Sequence, residues 1–437
     1  MGKFYALVLL ALLPLWVMGK GVLIQNVVIF DGKNPKTITG NVYIEDNIIR
    51  KVSAQPIVVG DDVEVIDGQG KFLMPGLIDA HWHAYLVANT MVDLLTAHAS
   101  YTQLRAGEEA GKTLLRGFTT IRDAGGPVFG LKRAIDEGTL WGPRIYPSGA
   151  IISETGGHGD FRMVYDIPEP FDCCGLTHTE KIGAALIADG VDAVIVASRN
   201  NLRLGASQIK LMAGGGVSSL YDQLEDVQYF EDEIHAAVMA AQDAGTYVMV
   251  HVYVPEAIRR AIKAGVKSIE HGQLIDEPTM KLIAEKGVWL SMQPFIGEGG
   301  NHYTTPAQKE KHELVSQGTD AAYRMAKKYG VKLAWGTDLL FNPANAKNQN
   351  LNIVKMTRWF SNYEILKMIT YDNAELLALS GRRNPYPGKL GMIQEGALAD
   401  LIVVSGNALD DVSVLTDPDK NMLLIMKDGK IYKNHLK

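Results

Sequence analysis

Between about residues 76 and 385, short apolar runs alternate with helix-like stretches, and several of those runs end in a side chain able to hold a metal. The first is Leu77-Ile78-Asp79-Ala80-His81-Trp82-His83. Side chains alternate along a strand, so Asp79, His81 and His83 share one side while Ala80 and Trp82 point the other way. Two imidazoles so placed converge at the C-terminal end of the strand, and neutral imidazole is a common ligand for zinc and its neighbours. His-x-His alone is a weak signal that also suits a polar strand end. What strengthens it is the number of later strands that finish in the same way.

Further strand-like runs follow at 119–123, 145–148, 208–212, 247–251, 268–271, 288–292 and 332–338. Between several of them lie helix patterns. One starts at Glu231-Asp232-Glu233, acids that suit a helix N-terminus, and another ends at Lys327 and Lys328 with Gly330 as its stop. Counting the first, the tally is eight strands, each followed by a crossover. That number predicts an α/β fold of the (β/α)8 TIM-barrel type, with its chemistry at the C-terminal ends of the strands. Residues 20–75 and the C-terminal end instead read as short β segments separated by Gly, Asn and Asp turns, with Lys427-Asp428-Gly429-Lys430 a turn between strands. The economical reading is a small β-sandwich domain built from both chain termini, with 20–75 and 386–437 flanking a barrel at 76–385.

The candidate ligands are His81 and His83 on the first strand, Lys210 on the fourth, His251 on the fifth, His271 on the sixth and Asp338 on the eighth. Each has a bland reading: a hydrogen-bonded polar residue, a snorkelling edge lysine, a helix-capping aspartate. Such coincidences at the same end of successive strands argue for a metal site instead. Tyr247, Met249, His251 and Tyr253 share a face of the fifth strand, which places Tyr253 just above the metals. His158 lies in the Gly-rich loop Gly156-Gly157-His158-Gly159-Asp160 after the third strand, where it can close over the mouth. His98, His178, His235, His302, His312 and His435 lie on helices, long loops or the tail and read as surface or structural residues.

The 437 residues suit a barrel plus a smaller domain. With 47% hydrophobic and 21% charged residues, the composition is that of an ordinary globular protein. A net charge of -6, with no basic run, argues against a nucleic-acid partner. Residues 1–19 have a short basic start at Lys3, an apolar run, and Val17 and Gly19 as small residues before a cut. The run is shorter than a membrane span needs, so a signal peptide is expected, with no stable membrane anchor and an exported, periplasmic or secreted protein. The only two cysteines, Cys173 and Cys174, are adjacent and cannot staple distant segments.

With these motifs in view, the chain resembles the amidohydrolase superfamily, in its two-metal branch. The motifs are His-x-His, Ile-Lys-Leu-Met-Ala-Gly-Gly-Gly, Val-His-Val-Tyr, Ile-Glu-His-Gly, Trp-Gly-Thr-Asp and the closing Gly396-Ala397-Leu398-Ala399-Asp400-Leu401. The loops around His158 and around Gly215 to Asp222 resemble particularly the imidazolonepropionase-like group, which includes Xaa-Pro dipeptidases and ochratoxin-type amidases. The resemblance implies two divalent ions, zinc first among them. His81, His83 and Asp338 would bind one, His251 and His271 the other, and Lys210 would bridge both as a carbamate formed with carbon dioxide. A lysine can react so only when neutral, and burial among metals depresses its pKa. Between such ions a water loses a proton near neutral pH and becomes a bridging hydroxide nucleophile. Asp338 is suited to take the remaining proton and deliver it to the leaving nitrogen. His158 and Tyr253 would hold the substrate's α-carboxylate.

The expected activity is hydrolysis of a small peptide or amide, a dipeptide or N-acyl amino acid, by a protein that forms a homo-oligomer. A cyclic amide or amidine hydrolase of the imidazolonepropionase kind is the alternative within the superfamily, although export argues against it. A non-catalytic periplasmic binding protein is the rival outside catalysis, and it would be expected to have lost a ligand.

Overall fold

The computed structural model describes residues 21–166, 175–296, 303 and 305–436. The expected signal peptide, the Cys173-Cys174 pair and His302 lie outside the described residues. Four strands open the fold: β1 (Val22–Ile29), β2 (Ile38–Glu45), β3 (Ile48–Ser53) and β4 (Glu64–Pro75). β1 pairs antiparallel with β2 and parallel with β4. Alternate residues of β2, Val42 and Ile44, are buried, as a half-covered strand requires.

Ten parallel strands follow in two sheets. β5 (Leu77–Trp82), β6 (Phe118–Asp123) and β7 (Arg144–Pro147) form the smaller one. The larger contains β8 (Ile151–Ser153), β9 (Ala185–Ile187), β10 (Ile209–Met212), β11 (Val248–Val252), β12 (Ser268–His271), β13 (Trp289–Met292) and β14 (Lys332–Trp335). Its order is β14-β13-β12-β11-β10-β8-β9. The sequence reading counted one strand at 145–148. The backbone divides there into β7 and β8 around Gly149, whose φ of 77° is left-handed, and β9 is an addition beside β8.

Side chains bridge the two places where strand pairing stops. At one, Asn373 Nδ2 donates to the carbonyls of Ile78 (2.7 Å) and Trp335 (2.8 Å), and its Oδ1 accepts from the Trp335 amide. At the other, Gln208 Nε2 donates to the Tyr146 carbonyl at 2.9 Å. The outward residues of the strands, such as Leu211, Val250 and Ile269, pack in one apolar cluster with Ile234, Ile258 and Ala322 of the surrounding helices. Lys210, Met249 and His251 alternate with them and point inward, which is how a fully buried parallel strand carries both core and chemistry. The helices expected from Glu231 and up to Gly330 are Glu231–Asp243 and Pro306–Tyr329.

β15 (Leu401–Val404), β16 (Met422–Lys427) and β17 (Lys430–Asn434) then return to the first sheet, giving the order β17-β16-β15-β4-β1-β2-β3. The expected turn at Lys427-Asp428-Gly429-Lys430 is present, with φ of 55° and 72° at its two central residues, as a tight hairpin needs. The termini thus share one hydrogen-bonded sheet. It curls so that Asn47, in the β2–β3 turn, donates to Asp428 at 3.0 Å, and Ile24, Val42 and Ile49 share a core with Leu401, Val403 and Leu424. Among the described residues, no helix is long and apolar enough to cross a membrane.

Arg144 fastens the two parts together. Its guanidinium, on β7 and almost fully buried, donates to Asp400 at 2.7 Å and to Asp428 at 2.6 Å. Leaving one member of such a pair alone in the interior costs about 3–5 kcal/mol. Arg144→Met should lower the unfolding free energy by about that amount, Asp400→Ala by less because Asp428 still faces the guanidinium, and the double variant by less than the sum. Urea unfolding of the four proteins checks this, and additive losses would show the pair to be uncoupled.

Candidate active site

The six residues singled out from the sequence meet at the C-terminal ends of β5, β10, β11, β12 and β14. His81, His83, Lys210, His251 and His271 are buried, and Asp338 is largely so. Asp338 Oδ1 lies 3.3 Å from His81 Nε2 and 3.2 Å from His83 Nε2. The ring of His81 stands 4.9 Å from that of His271, and His271 stands 4.4 Å from His251. Asp338 does not cap a helix: its amide donates to the His81 carbonyl at 2.8 Å, tying strand eight to strand one. Gly336 makes this approach possible, because a Cβ there would fall 2.5 Å from the His81 backbone.

Each histidine has one ring nitrogen held by the protein. His81 Nδ1 bonds Glu270 (2.8 Å), His83 Nδ1 the Gly125 carbonyl (3.0 Å), His271 Nδ1 Gln293 (2.7 Å), and His251 Nε2 the Gly215 carbonyl (3.1 Å). That pattern fixes the tautomer and leaves the other nitrogen for a ligand. Burial, with the charges of neighbouring histidines adding to it, holds His251 well below the ordinary histidine range, and burial does the same for His271 against the pull of Asp338. Both are therefore neutral imidazoles near pH 7. Burial also pushes the Lys210 amine down to about 8, against Glu270 and Asp338, and among the described residues no hydrogen bond reaches it. Burial alone would raise the Asp338 carboxyl, but His81 and His83 hold it well below the usual range.

Beneath the ligands sits a layer that the sequence reading left unassigned. Arg122 donates to Glu270 at 2.6 Å and to the Ala80 carbonyl at 2.5 Å, and Glu270 in turn holds His81. Asp79 accepts from the Thr337 hydroxyl and from Gln349, bracing the turn that carries Asp338. Their signal in the sequence was a charge inside an otherwise apolar strand.

His158 and Tyr253 flank the cluster as expected. The His158 ring stacks on His251 at 4.0 Å, and Tyr253 lies 5.1 Å from His251 and 5.2 Å from His271. His158 Nδ1 bonds Ser219 Oγ at 2.8 Å, Ser219 donates to Asp222, and Lys311 donates to the Asp222 carbonyl. Burial pushes His158 down to about 4, so the ring is neutral and its one N–H, on Nδ1, is given to Ser219. The loop from Gly215 presses on this ring, since a Cβ at Gly216 would fall 2.0 Å from it. His312, read as a surface or structural residue, lines the cavity instead, with its ring 5.3 Å from Tyr303. His178 and His235 bond backbone carbonyls, and His98 caps a helix.

The residues fit a divalent ion. His81, His83 and Asp338 offer ligand atoms within 4.8 Å of one another, and among the described residues the buried His81 Nε2 has no hydrogen-bond partner. Two imidazoles and a carboxylate are a zinc-type donor set.

Ochratoxinase from Aspergillus niger is 32% identical over 377 residues, covering 83% of this chain and 75% of the relative. A crystal structure of an amidohydrolase superposes with a TM-score of 0.87 at 38% identity, covering 95% of this chain and all of the other. A prolidase complexed with N-methylphosphonate-L-proline gives 0.86 at 34% identity over 95% of this chain and 100% of that one. The amidohydrolase family profile matches residues 72–432, and the chain belongs to that family.

Proposed function

We propose that this protein is a metal-dependent hydrolase that cleaves the amide bond of dipeptides or N-acyl amino acids, beside a free carboxylate. The observation that carries the reading is the meeting of six ligand-type side chains from five strands in one cavity, with His158 and Tyr253 on its wall. Similarity to an ochratoxinase and a prolidase supports the same bond type. His81, His83 and Asp338 would hold one divalent ion, His251 and His271 a second, and Lys210 would lie between them as a carbamate. Zinc is the expected metal, given an imidazole-rich set. Bound there, two ions supply an acidified water and polarise the scissile carbonyl.

The chain's own residues do the rest. Asp338, kept ionised by its two histidines, takes the proton of the attacking water at its carboxylate and passes it to the leaving nitrogen, because amines leave poorly as anions. Lys210, with its amine brought near neutrality by burial, can react with carbon dioxide where an exposed lysine would stay protonated. Tyr253 donates to the substrate carboxylate and His158, taking up a proton as the anion binds, pairs with it as an imidazolium, which sets the scissile bond over Asp338. Phe161, Met212, Val217 and Leu340 wall the cavity and limit water around the reacting atoms.

We also read the two parallel sheets as one interrupted (β/α)8 barrel, with Asn373 and Gln208 bridging its seams, and the curled terminal sheet as the small β domain. Residues 1–19 are read as an export leader. N-terminal sequencing of the mature protein should start near Lys20, and an intact Met1 end would remove that reading.

The purified protein should carry about two divalent ions per chain and lose turnover to chelators. Lys210→Ala should lose most activity and much of one metal, with partial rescue of both by short carboxylic acids. Metal analysis and turnover measured together check this; an alanine variant with full metal and normal rate would make Lys210 structural only.

Carboxylate recognition predicts a second outcome. Acids should be cleaved and their C-terminal amides should not, because a buried donor and an imidazolium left without their anion cost about 1–3 kcal/mol each, and two such losses amount to roughly thirtyfold or more in kcat/KM. Tyr253→Phe should slow the acid and leave the amide almost unaffected. Equal kcat/KM for an acid and amide pair on the native protein would end the carboxylate reading.

A further inference from the structure

The cavity over the ligand cluster adjoins a second one, and Phe295, Tyr303, His312, Asp338 and Leu340 stand in both walls. This adjacency sorts the two halves of a substrate. If the carboxylate beside the scissile nitrogen sits at His158 and Tyr253, the carbonyl lies over Asp338, and the acyl half has to enter the second cavity.

One side of that second cavity is polar. Asn342, Asn345, Asn348, Asn352 and Lys355 line it. Two of the amides have partners close by: Asn348 Nδ2 donates to Asn345 Oδ1 at 2.8 Å, and Asn352 Nδ2 to the backbone carbonyl of Asn348 at 3.2 Å. Lys355, at the end of the helix Leu351–Lys355, donates to Asn352 Oδ1 at 2.9 Å and, among the described residues, forms no ion pair. Burial pushes its ammonium below the usual lysine value with no acid opposing it. Among the described lining residues, Asp338 is the only carboxylate, and its oxygens face His81 and His83. A half-buried ammonium with two N–H groups still to place, in a cavity that receives the acyl half, is a site for an anion.

We propose that Lys355 receives a carboxylate on the acyl side of the substrate, so that the preferred substrates carry two carboxylates, one on each side of the scissile amide. The inference rests on the amide-hydrolase reading given above and names its substrate class. An acidic N-terminal residue and a dicarboxylic acyl chain offer the same chemistry.

The test compares kcat/KM for two matched pairs that share one C-terminal residue: glutamyl against glutaminyl dipeptide, and N-glutaryl against N-valeryl amino acid. The acidic member of at least one pair should be favoured by about tenfold to a hundredfold, carried mainly by KM, since a charge-assisted contact is at stake. Preference in the first pair alone identifies peptides as the source, and in the second alone, dicarboxylic acyl groups. Lys355→Met should bring the ratio close to one, and Lys355→Arg should keep most of it. Equal rates within both pairs, or a ratio unchanged in Lys355→Met, would overturn the inference and leave the amide-hydrolase reading standing. Cleavage of no member of either pair would remove both.

Discussion

A single buried guanidinium organises the ground under the site. Arg122, on β6 and fully buried, donates to the Ala80 carbonyl of β5, to Ser268 and Glu270 of β12, to Ser291 of β13 and to the Tyr247 hydroxyl. Strands from both parallel sheets are therefore referred to one point. Burial would raise the Glu270 carboxyl, but Arg122, with His81 adding to it, holds it well below the carboxylate range, and the ionised oxygen then fixes His81. A buried pair of this kind contributes little net stability compared with apolar residues of the same volume. Its value here is orientation: a histidine pinned at Nδ1 can turn only Nε2 toward Asp338.

Strain marks the same place. His271 and Asp338 both have positive φ, 78° and 54°, which for residues with side chains costs on the order of 1–3 kcal/mol each. Both positions are over-determined by their surroundings. Gln293 grips the His271 ring, while Asp79, through Thr337, and the His81 carbonyl fix the backbone at Asp338. The left-handed backbone turns each side chain back over the strand end, toward its neighbours. The two cavities meet at Asp338, so the strained residue is also the boundary between the two halves of the proposed substrate.

Much of this was legible in the residues. Parallel strands buried on both faces are nearly continuous apolar runs, so a His, Lys or Asp at the end of one stands out. That contrast located all six candidate ligands, and alternation along the fifth strand placed Tyr253 beside His251. Turn chemistry located the Asp428-Gly429 hairpin, and the acids at 231–233 located a helix start. What failed to show was whatever depended on docking. His312 looked like one more polar residue of a long helix, and only the packing of Pro306–Tyr329 against the cavity decides that it faces inward. β9 is three residues long and, among the described residues, pairs with β8 alone, too short for periodicity to reveal.

Arg122 and Glu270 show where the division falls. Each was visible as a charge inside an apolar strand, yet their partnership spans 148 positions and is set by which strands lie side by side. The same is true of Lys355, which carried no signal in the sequence and gains meaning from the cavity it shares with Asp338. By itself the sequence determined what a strand's own geometry determines: which side chains share a face, which end carries chemistry, and which residue types are present to bind a cation. The tertiary structure alone decided which faces look at each other, which ring nitrogen is held, and which charges are left to be met. The physical reason is range, because a two-residue repeat is a local property of the backbone, whereas convergence depends on strand order and register fixed by packing across the whole chain.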